Sequence, residues 1–241
     1  MNRPEAEKPA MSTFDVERAR FNMVEQQIRT WDVLDPEVLE LLFTVKREEF
    51  VPAAYRSLAF ADLEIPLGDG QRMWTPKLEA RVLQVLAVKP DEHVLEIGTG
   101  SGYFTALLAA RGARVTSVEL DAGRAAAARA TLVRHGFERV RVEVGDGARG
   151  FGHDAYDAIV LTGSTPVLPD AFAAQLIPGG RLFAIVGDAP VMTARLATGR
   201  AVVPRLIKSI NGVEVPVEEA PPVEVNNGSV SWRNPNTTTD V

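Results

Sequence analysis

The segment Val94-Leu95-Glu96-Ile97-Gly98-Thr99-Gly100-Ser101-Gly102 sets an apolar, strand-like run directly before glycines at alternate positions. Glycine accepts the positive φ that a tight bend demands and leaves the main chain bare for a ligand to approach. A helix opening at that bend adds unpaired N–H groups and positive potential. The chemistry this permits is the cradling of a small polar molecule. The spacing is G-x-G-x-G, and the last glycine of the dinucleotide fingerprint would fall at 103, where Tyr103 stands. A pyrophosphate is better served by the full fingerprint. S-adenosylmethionine has no phosphate and needs its amino and carboxylate groups held beside such a turn, so it is the better fit. We assign Glu96, Gly98, Thr99, Gly100, Ser101 and Gly102 to this cofactor, with Glu96 placed to face its positively charged side.

Glu119 closes the next strand-like run, Arg114 to Glu119, at the sheet edge where ligands bind in open α/β folds. A carboxylate there can accept from both ribose hydroxyls, and Leu120 follows it. The same feature serves NAD, so it supports an adenosine ribose without choosing the cofactor. Asp146, in Gly145-Asp146-Gly147, is placed to accept from an adenine amino group, with Gly147 beside it. A plain turn aspartate is the rival reading.

The elements that must position these residues follow from periodicity. Val16, Ala19, Met23, Val24 and Ile28 recur at helical spacing. Asp35-Pro36 is a helix start, with Val38, Leu39, Leu42 and Phe43 as its buried stripe. Residues 66–71, with Gly68 and Gly70, read as a loop, and Pro76 opens a third helix that ends near Lys89-Pro90. From His93 the period changes. Strand-like segments at 93–97, 114–118, 140–144, 156–161 and 181–186 alternate with helical ones at 103–111, 122–135 and around 169–176, the pattern of βαβ units. Segments 193–197 and 201–207 flank Thr198-Gly199 as an antiparallel hairpin at the sheet edge. The expected fold is a doubly wound α/β domain with a mostly parallel seven-stranded sheet and an N-terminal helical extension.

Composition narrows the function further. Twenty-six Lys and Arg against 32 Asp and Glu give a formal charge of −6, the wrong sign for a protein whose main partner is a phosphate backbone. The absence of cysteine removes thiolate chemistry and Cys-ligated metal, and three scattered histidines argue against a His-rich site, so no metal is expected. Met1 to Met11 carry both charge signs and no apolar segment, unlike a signal peptide, and no apolar run is long enough to span a bilayer. A cytoplasmic location is the expectation, with no nucleic-acid or membrane partner; monomer and homo-oligomer are both compatible.

Taken together, Arg-Glu-Glu-Phe-Val-Pro (47–52), Pro-Leu-Gly-Asp-Gly-Gln (66–71) with Pro76, the glycine run with Tyr103, Gly-Asp-Gly (145–147), Tyr-Asp-Ala-Ile-Val (156–160) and Pro-Gly-Gly-Arg-Leu (178–182) resemble the protein-L-isoaspartate O-methyltransferase family over residues 20–210. The resemblance implies a metal-free S-adenosylmethionine-dependent methyltransferase acting on the carboxylate of isoaspartyl residues in damaged proteins. Periodicity and composition divide the chain into a disordered leader (1–12), a helical region with an acceptor loop (13–90), a methyltransferase domain (91–212) and an extended or disordered tail (213–241). One departure matters. The family carries a Thr-Ile-Ser run after Gly-Gln, with the serine at the reaction centre; here Arg72, Met73 and Trp74 stand there, followed by Thr75. A carboxylate with a pKa of about 4 is already ionised at neutral pH, so its methylation needs alignment rather than a base. Arg72 offers a planar fork for an anionic acceptor, Trp74 a wall or stacking surface, and Thr75 the nearest hydroxyl, although it would point elsewhere. Acceptors other than isoaspartate, a non-catalytic S-adenosylmethionine-binding role and an NAD(P) oxidoreductase are the competing readings.

Overall fold

The computed structural model describes residues 13–153, 155–188, 191–198 and 205–206. The expected leader at 1–12 and the tail from 213 lie outside the described residues.

Helix α1 (Thr13–Asn22) does not continue evenly to Ile28, as its periodicity suggests. It widens into a π turn over Met23–Ile28, where Arg29 N–H reaches back to Val24 O, then tightens through Arg29–Trp31 and stops at left-handed Asp32. The stripe survives these changes of pitch, because Met23, Val24 and Ile28 are fully buried. Helix α2 (Pro36–Thr44) starts as expected. Asp35 Oδ1 accepts from the N–H groups of Glu37 (2.9 Å) and Val38 (3.4 Å), satisfying donors that the first turn leaves free.

The stretch 66–71 is not a simple loop. Strands β1 (Ile65–Gly68) and β2 (Gln71–Met73) pair antiparallel across Asp69-Gly70, with φ of 49° and 75°. Two positive φ values in a two-residue connection match the turn that follows strand twist, and Asp-Gly is its commonest signature. Helix α3 (Pro76–Leu86) follows and ends earlier than its Lys-Pro boundary suggests, at Ala87 with φ of 44°.

The remaining elements are β3 (His93–Ile97), α4 (Tyr103–Ala110), β4 (Arg114–Glu119), α5 (Ala122–Arg134), β5 (Arg141–Val144), β6 (Tyr156–Thr165), α6 (Ala171–Ala174), β7 (Leu176–Asp188), β8 (Val191–Thr198) and β9 (Arg205–Leu206). The sheet order is β5-β4-β3-β6-β7-β8-β9; β5 to β7 run parallel, and β8 and β9 are antiparallel. Among the described residues six strands have real length, and the seventh, β9, is a two-residue edge. Strands β6 and β7 outrun their apolar segments, with register shifts at Tyr156/Ala158 and Val160/Ser164. Of the expected helix at 169–176 only the single turn α6 forms.

The central strands β3, β6 and β7 are buried on both faces along their apolar segments, which is why these read as continuous apolar runs rather than alternating ones. Val94, Val160 and Phe183 face one core together with Met23, Val38 and Leu83 from the N-terminal helices. Their neighbours Leu95, Ile159 and Leu182 face a second core with Phe172. The N-terminal region is therefore one covering layer of the sheet. No helix among the described residues is long and apolar enough to cross a membrane.

Candidate active site

The chain runs from β3 outward to β4 and β5, then returns to place β6 on the other side of β3. This reversal opens a crevice at the carboxyl ends of the strands, where ligands bind in such sheets. A cleft of about 610 Å³ lies there, within the range of roughly 300–1,000 Å³ usual for small-molecule sites.

The floor is the bend after β3. Gly98, Gly100 and Gly102 have φ of 100°, 55° and 83°. A Cβ on Gly98 would stand 2.3 Å from Thr162 Oγ1, and that hydroxyl is the clasp of the bend, lying 2.9 Å from Ile97 O and 2.6 Å from Gly98 O. Gly98 and Gly100 line the cleft. Thr99, Ser101 and Gly102 shape the bend from behind: Thr99 Oγ1 meets Ser117 Oγ at 2.6 Å, Ser101 Oγ accepts from Tyr103 N–H at 3.3 Å, and Gly102 caps α4 over Leu132 and Ala128.

Glu96 does not face into the cleft. It is fully buried beneath the bend, where Oε2 accepts from Thr105 (2.5 Å) and Ser117 (2.6 Å) while Oε1 has no hydrogen-bond partner. Burial pushes its carboxyl up to about 7, opposed by the two hydroxyls and reinforced by the nearby charge of Glu119. The expectation of a direct carboxylate wall is corrected to a buried support, because strand alternation turns this side chain inward from the strand end.

Glu119 is only 5% exposed and lies against the cleft. Its Oε2 accepts from Gly100 N–H at 2.9 Å; its Oε1 accepts from Asp121 N–H at 3.2 Å and from Arg124 Nη1 at 3.0 Å. One carboxylate thus joins the glycine bend to the start of α5. Leu120 also lines the cleft and is 73% exposed, forming an apolar wall with Ile97, Val118 and Leu161. Asp146 lines the far end, one oxygen accepting from Ala148 N–H at 2.9 Å, so the turn role and a cleft-facing position coexist. Gly147 is required by contact: a Cβ there would meet Ile97 Cδ1 at 2.8 Å.

On the acceptor side the structure separates the three candidates. Arg72 lines the mouth from β2, with its side chain 59% exposed and its Nε 3.9 Å from a Glu64 oxygen. Trp74 is a core residue, its ring tilted edge-on against Phe104 and Phe183 with centroids at 5.5 and 6.0 Å. Thr75 caps α3 by accepting from Leu78 N–H at 3.4 Å. Neither is among the residues that line the cleft. β2 ends at Met73, so the pleat that presents Arg72 at the mouth does not extend to Trp74, which turns with Met73 into the apolar core, while Thr75 is taken up by the start of α3. Thr162 and Arg124, which hold the bend and Glu119, were not singled out by sequence; a short polar run after an apolar strand was the only signal for the first, and an ordinary helix cation hid the second.

The charge of the lining is acidic. Asp69, Glu119, Asp121 and Asp146 face the cleft against the two cations Arg72 and Arg124. Such a surface favours a positively charged nucleoside and opposes a pyrophosphate. Among the described residues no group of three or more His, Asp or Glu is arranged to hold a metal ion.

Comparison with known proteins agrees with this geometry. The protein-L-isoaspartate(D-aspartate) O-methyltransferase family profile matches residues 18–204. The chain is 41% identical over 170 residues to a protein-L-isoaspartate O-methyltransferase of Methylorubrum populi, covering 70% of this chain and 80% of that one. It is 43% identical over 171 residues to that of Methanoculleus marisnigri, covering 70% and 78%. A solved protein-L-isoaspartate O-methyltransferase superposes with a TM-score of 0.68 at 23% identity, over 86% of this chain and 66% of that one. A Plasmodium falciparum protein solved with S-adenosyl-L-homocysteine superposes with a TM-score of 0.69 at 15% identity, over 85% and 98%. A match of this extent to both profile and relatives places the chain in the protein-L-isoaspartate(D-aspartate) O-methyltransferase family.

Proposed function

We propose that the chain is an S-adenosylmethionine-dependent carboxyl O-methyltransferase that acts on isoaspartyl residues of damaged proteins. Its residues fit the cofactor on two counts. The cleft carries an excess of carboxylates and no lysine, and the bend offers bare backbone at Gly98 and Gly100. When bound, S-adenosylmethionine supplies an electrophilic methyl group on sulfur.

The work left to this chain is holding and aiming. Glu119 would accept from the ribose hydroxyls and Asp146 from the adenine amino group, with Ile97, Val118, Leu120 and Leu161 as the apolar lining for the ring. Thr162 keeps the bend in shape. An ionised acceptor oxygen needs no general base, so the acceptor side must exclude water and fix direction. Arg72 serves this as a fork for an anion at the mouth. The observation that carries the reading is the juxtaposition of that exposed cation with a cleft lined by four carboxylates, Glu119 among them paired with Arg124. A tritiated-methyl assay with an isoaspartyl peptide and its aspartyl counterpart tests it. Labelling confined to the isoaspartyl peptide is expected; equal or absent labelling of the two removes the repair assignment.

A second reading keeps the cofactor and changes the acceptor. It is favoured by Trp74, which is buried against Phe104 and Phe183 where the family carries a serine hydroxyl. Under it, the isoaspartyl peptide stays unlabelled while another anionic acceptor from a cell extract is methylated.

A further inference from the structure

The β1–β2 hairpin leans over the glycine bend. A Cβ on Gly100 would stand 3.3 Å from Leu67 Cδ1, so Leu67 rests on bare backbone. The hairpin tip is also tied across the cleft. Arg124, in the first turn of α5, reaches Asp69 Oδ2 with Nη2 at 3.6 Å and Glu119 Oε1 with Nη1 at 3.0 Å. A single guanidinium is shared between the tip of the acceptor hairpin and the carboxylate assigned to ribose.

Glu119 is close to saturation. A carboxylate has about four acceptor directions, and those of Glu119 already receive Gly100 N–H, Asp121 N–H and Arg124. A vicinal diol brings two donors where one direction remains. The backbone donors are fixed, one by the bend and one by the cap of α5. Arg124 is a flexible side chain with a second carboxylate within reach, so it is the group that can give way.

We propose that Arg124 is a positioning residue that couples the two halves of the site: filling Glu119 with a diol releases the guanidinium toward Asp69, which draws the hairpin and Arg72 down over the cleft. The proposal rests on the assignment of Glu119 to ribose. The tip is built to move without disturbing the core, since Gly68 and Gly70 have φ of 93° and 75° and nothing within 4 Å of where a Cβ would be. Asp69 is 91% exposed, so its tie to Arg124 acts partly through water. The coupling is accordingly modest and salt-sensitive, which suits a part that must reopen at each turnover.

Hydrogen exchange of the full chain, with and without saturating S-adenosylhomocysteine, tests the coupling in wild type, D69N and R124M. In wild type the ligand should slow exchange across residues 67–72 by about two- to five-fold. That slowing should vanish in both variants, and in wild type at about 1 M salt, while ligand protection of Gly98–Gly102 persists in wild type and in D69N. Equal slowing of the tip in all three proteins, or none in wild type, overturns the proposal. Absence of any heat of binding or of protection at Gly98–Gly102 would instead remove the cofactor assignment, and the coupling with it.

Discussion

Glu119 does more than one task, and that makes it the most informative residue to change. Replacing it by Gln keeps the shape but removes the charge that Gly100 N–H and Arg124 share and that the proposed ribose contact needs. Hydrogen bonds to a charged group are worth about 1.5–3 kcal/mol, so the E119Q variant should bind S-adenosylhomocysteine roughly tenfold to a hundredfold more weakly by calorimetry. Arg72 reports on the other side of the cleft. In R72A the KM for an isoaspartyl peptide should rise about tenfold, as expected for a lost charge-assisted contact, with affinity for S-adenosylhomocysteine unchanged; an unchanged KM would leave Arg72 a solvated cation. Glu96 supplies a pH signature. Its folded value of about 7 lies above the 4.5 of an ordinary carboxyl, because burial penalises the charged form. The folded state therefore holds a proton that the unfolded chain has released. The resulting stability is full below pH 4.5 and is lost as pH rises through 7. Urea unfolding of E96Q at pH 5 and pH 8 should show a smaller fall than wild type. A residual fall is expected, since burial also raises Glu79 to about 7 against the opposing charge of Arg47.

At the scale of elements, the bend after β3 and the hairpin before α3 decide whether the site exists. Gly98 has both a left-handed φ of 100° and a hydroxyl 2.3 Å from where a Cβ would sit. Substitution by Ala must either expel Thr162 or change the bend, and either abolishes the cradle. The G98A variant should lose measurable S-adenosylhomocysteine binding while keeping a helix-and-sheet circular dichroism spectrum. The hairpin teaches a different lesson. Asp69-Gly70 is a two-residue turn signal, yet its flanking strands are short and one carries Pro66, so weak strand character concealed a pairing that brings Arg72 to the cleft.

At the scale of the molecule, the proposed division at residue 90 is a boundary of topology more than of energetics. Residues of the N-terminal helices and of the central strands share one apolar core. A buried ion pair ties the N-terminal part together, and its cation also crosses the boundary to the Tyr103 ring. Arg47, 1% exposed, donates to Glu79 at 2.9 Å and to the carbonyls of Ala59 and Trp74 at 2.6 Å each, and stands over the Tyr103 ring at the head of α4. Removing Arg47 leaves the Ala59 and Trp74 carbonyls without their buried donor and leaves Glu79 to hold a proton in the interior, which costs about 3–5 kcal/mol. The R47M variant should therefore unfold at markedly lower denaturant, and tryptophan fluorescence and circular dichroism should still report one coincident transition.

The residue pattern by itself determined the parallel sheet, the glycine bend, the cap at Asp35 and the carboxylates at the strand ends. These are local matters: a period of two or 3.6, a φ that only glycine accepts, and a charge at the end of an apolar run are written in adjacent residues. Only the tertiary structure decided which way each side chain faces. Glu96 turned into the interior, Trp74 into the core, Thr75 to a cap, and Thr162 and Arg124 into the site, because facing depends on which strands become neighbours and which layer covers them. That choice is made by the burial of apolar surface from residues far apart in the chain.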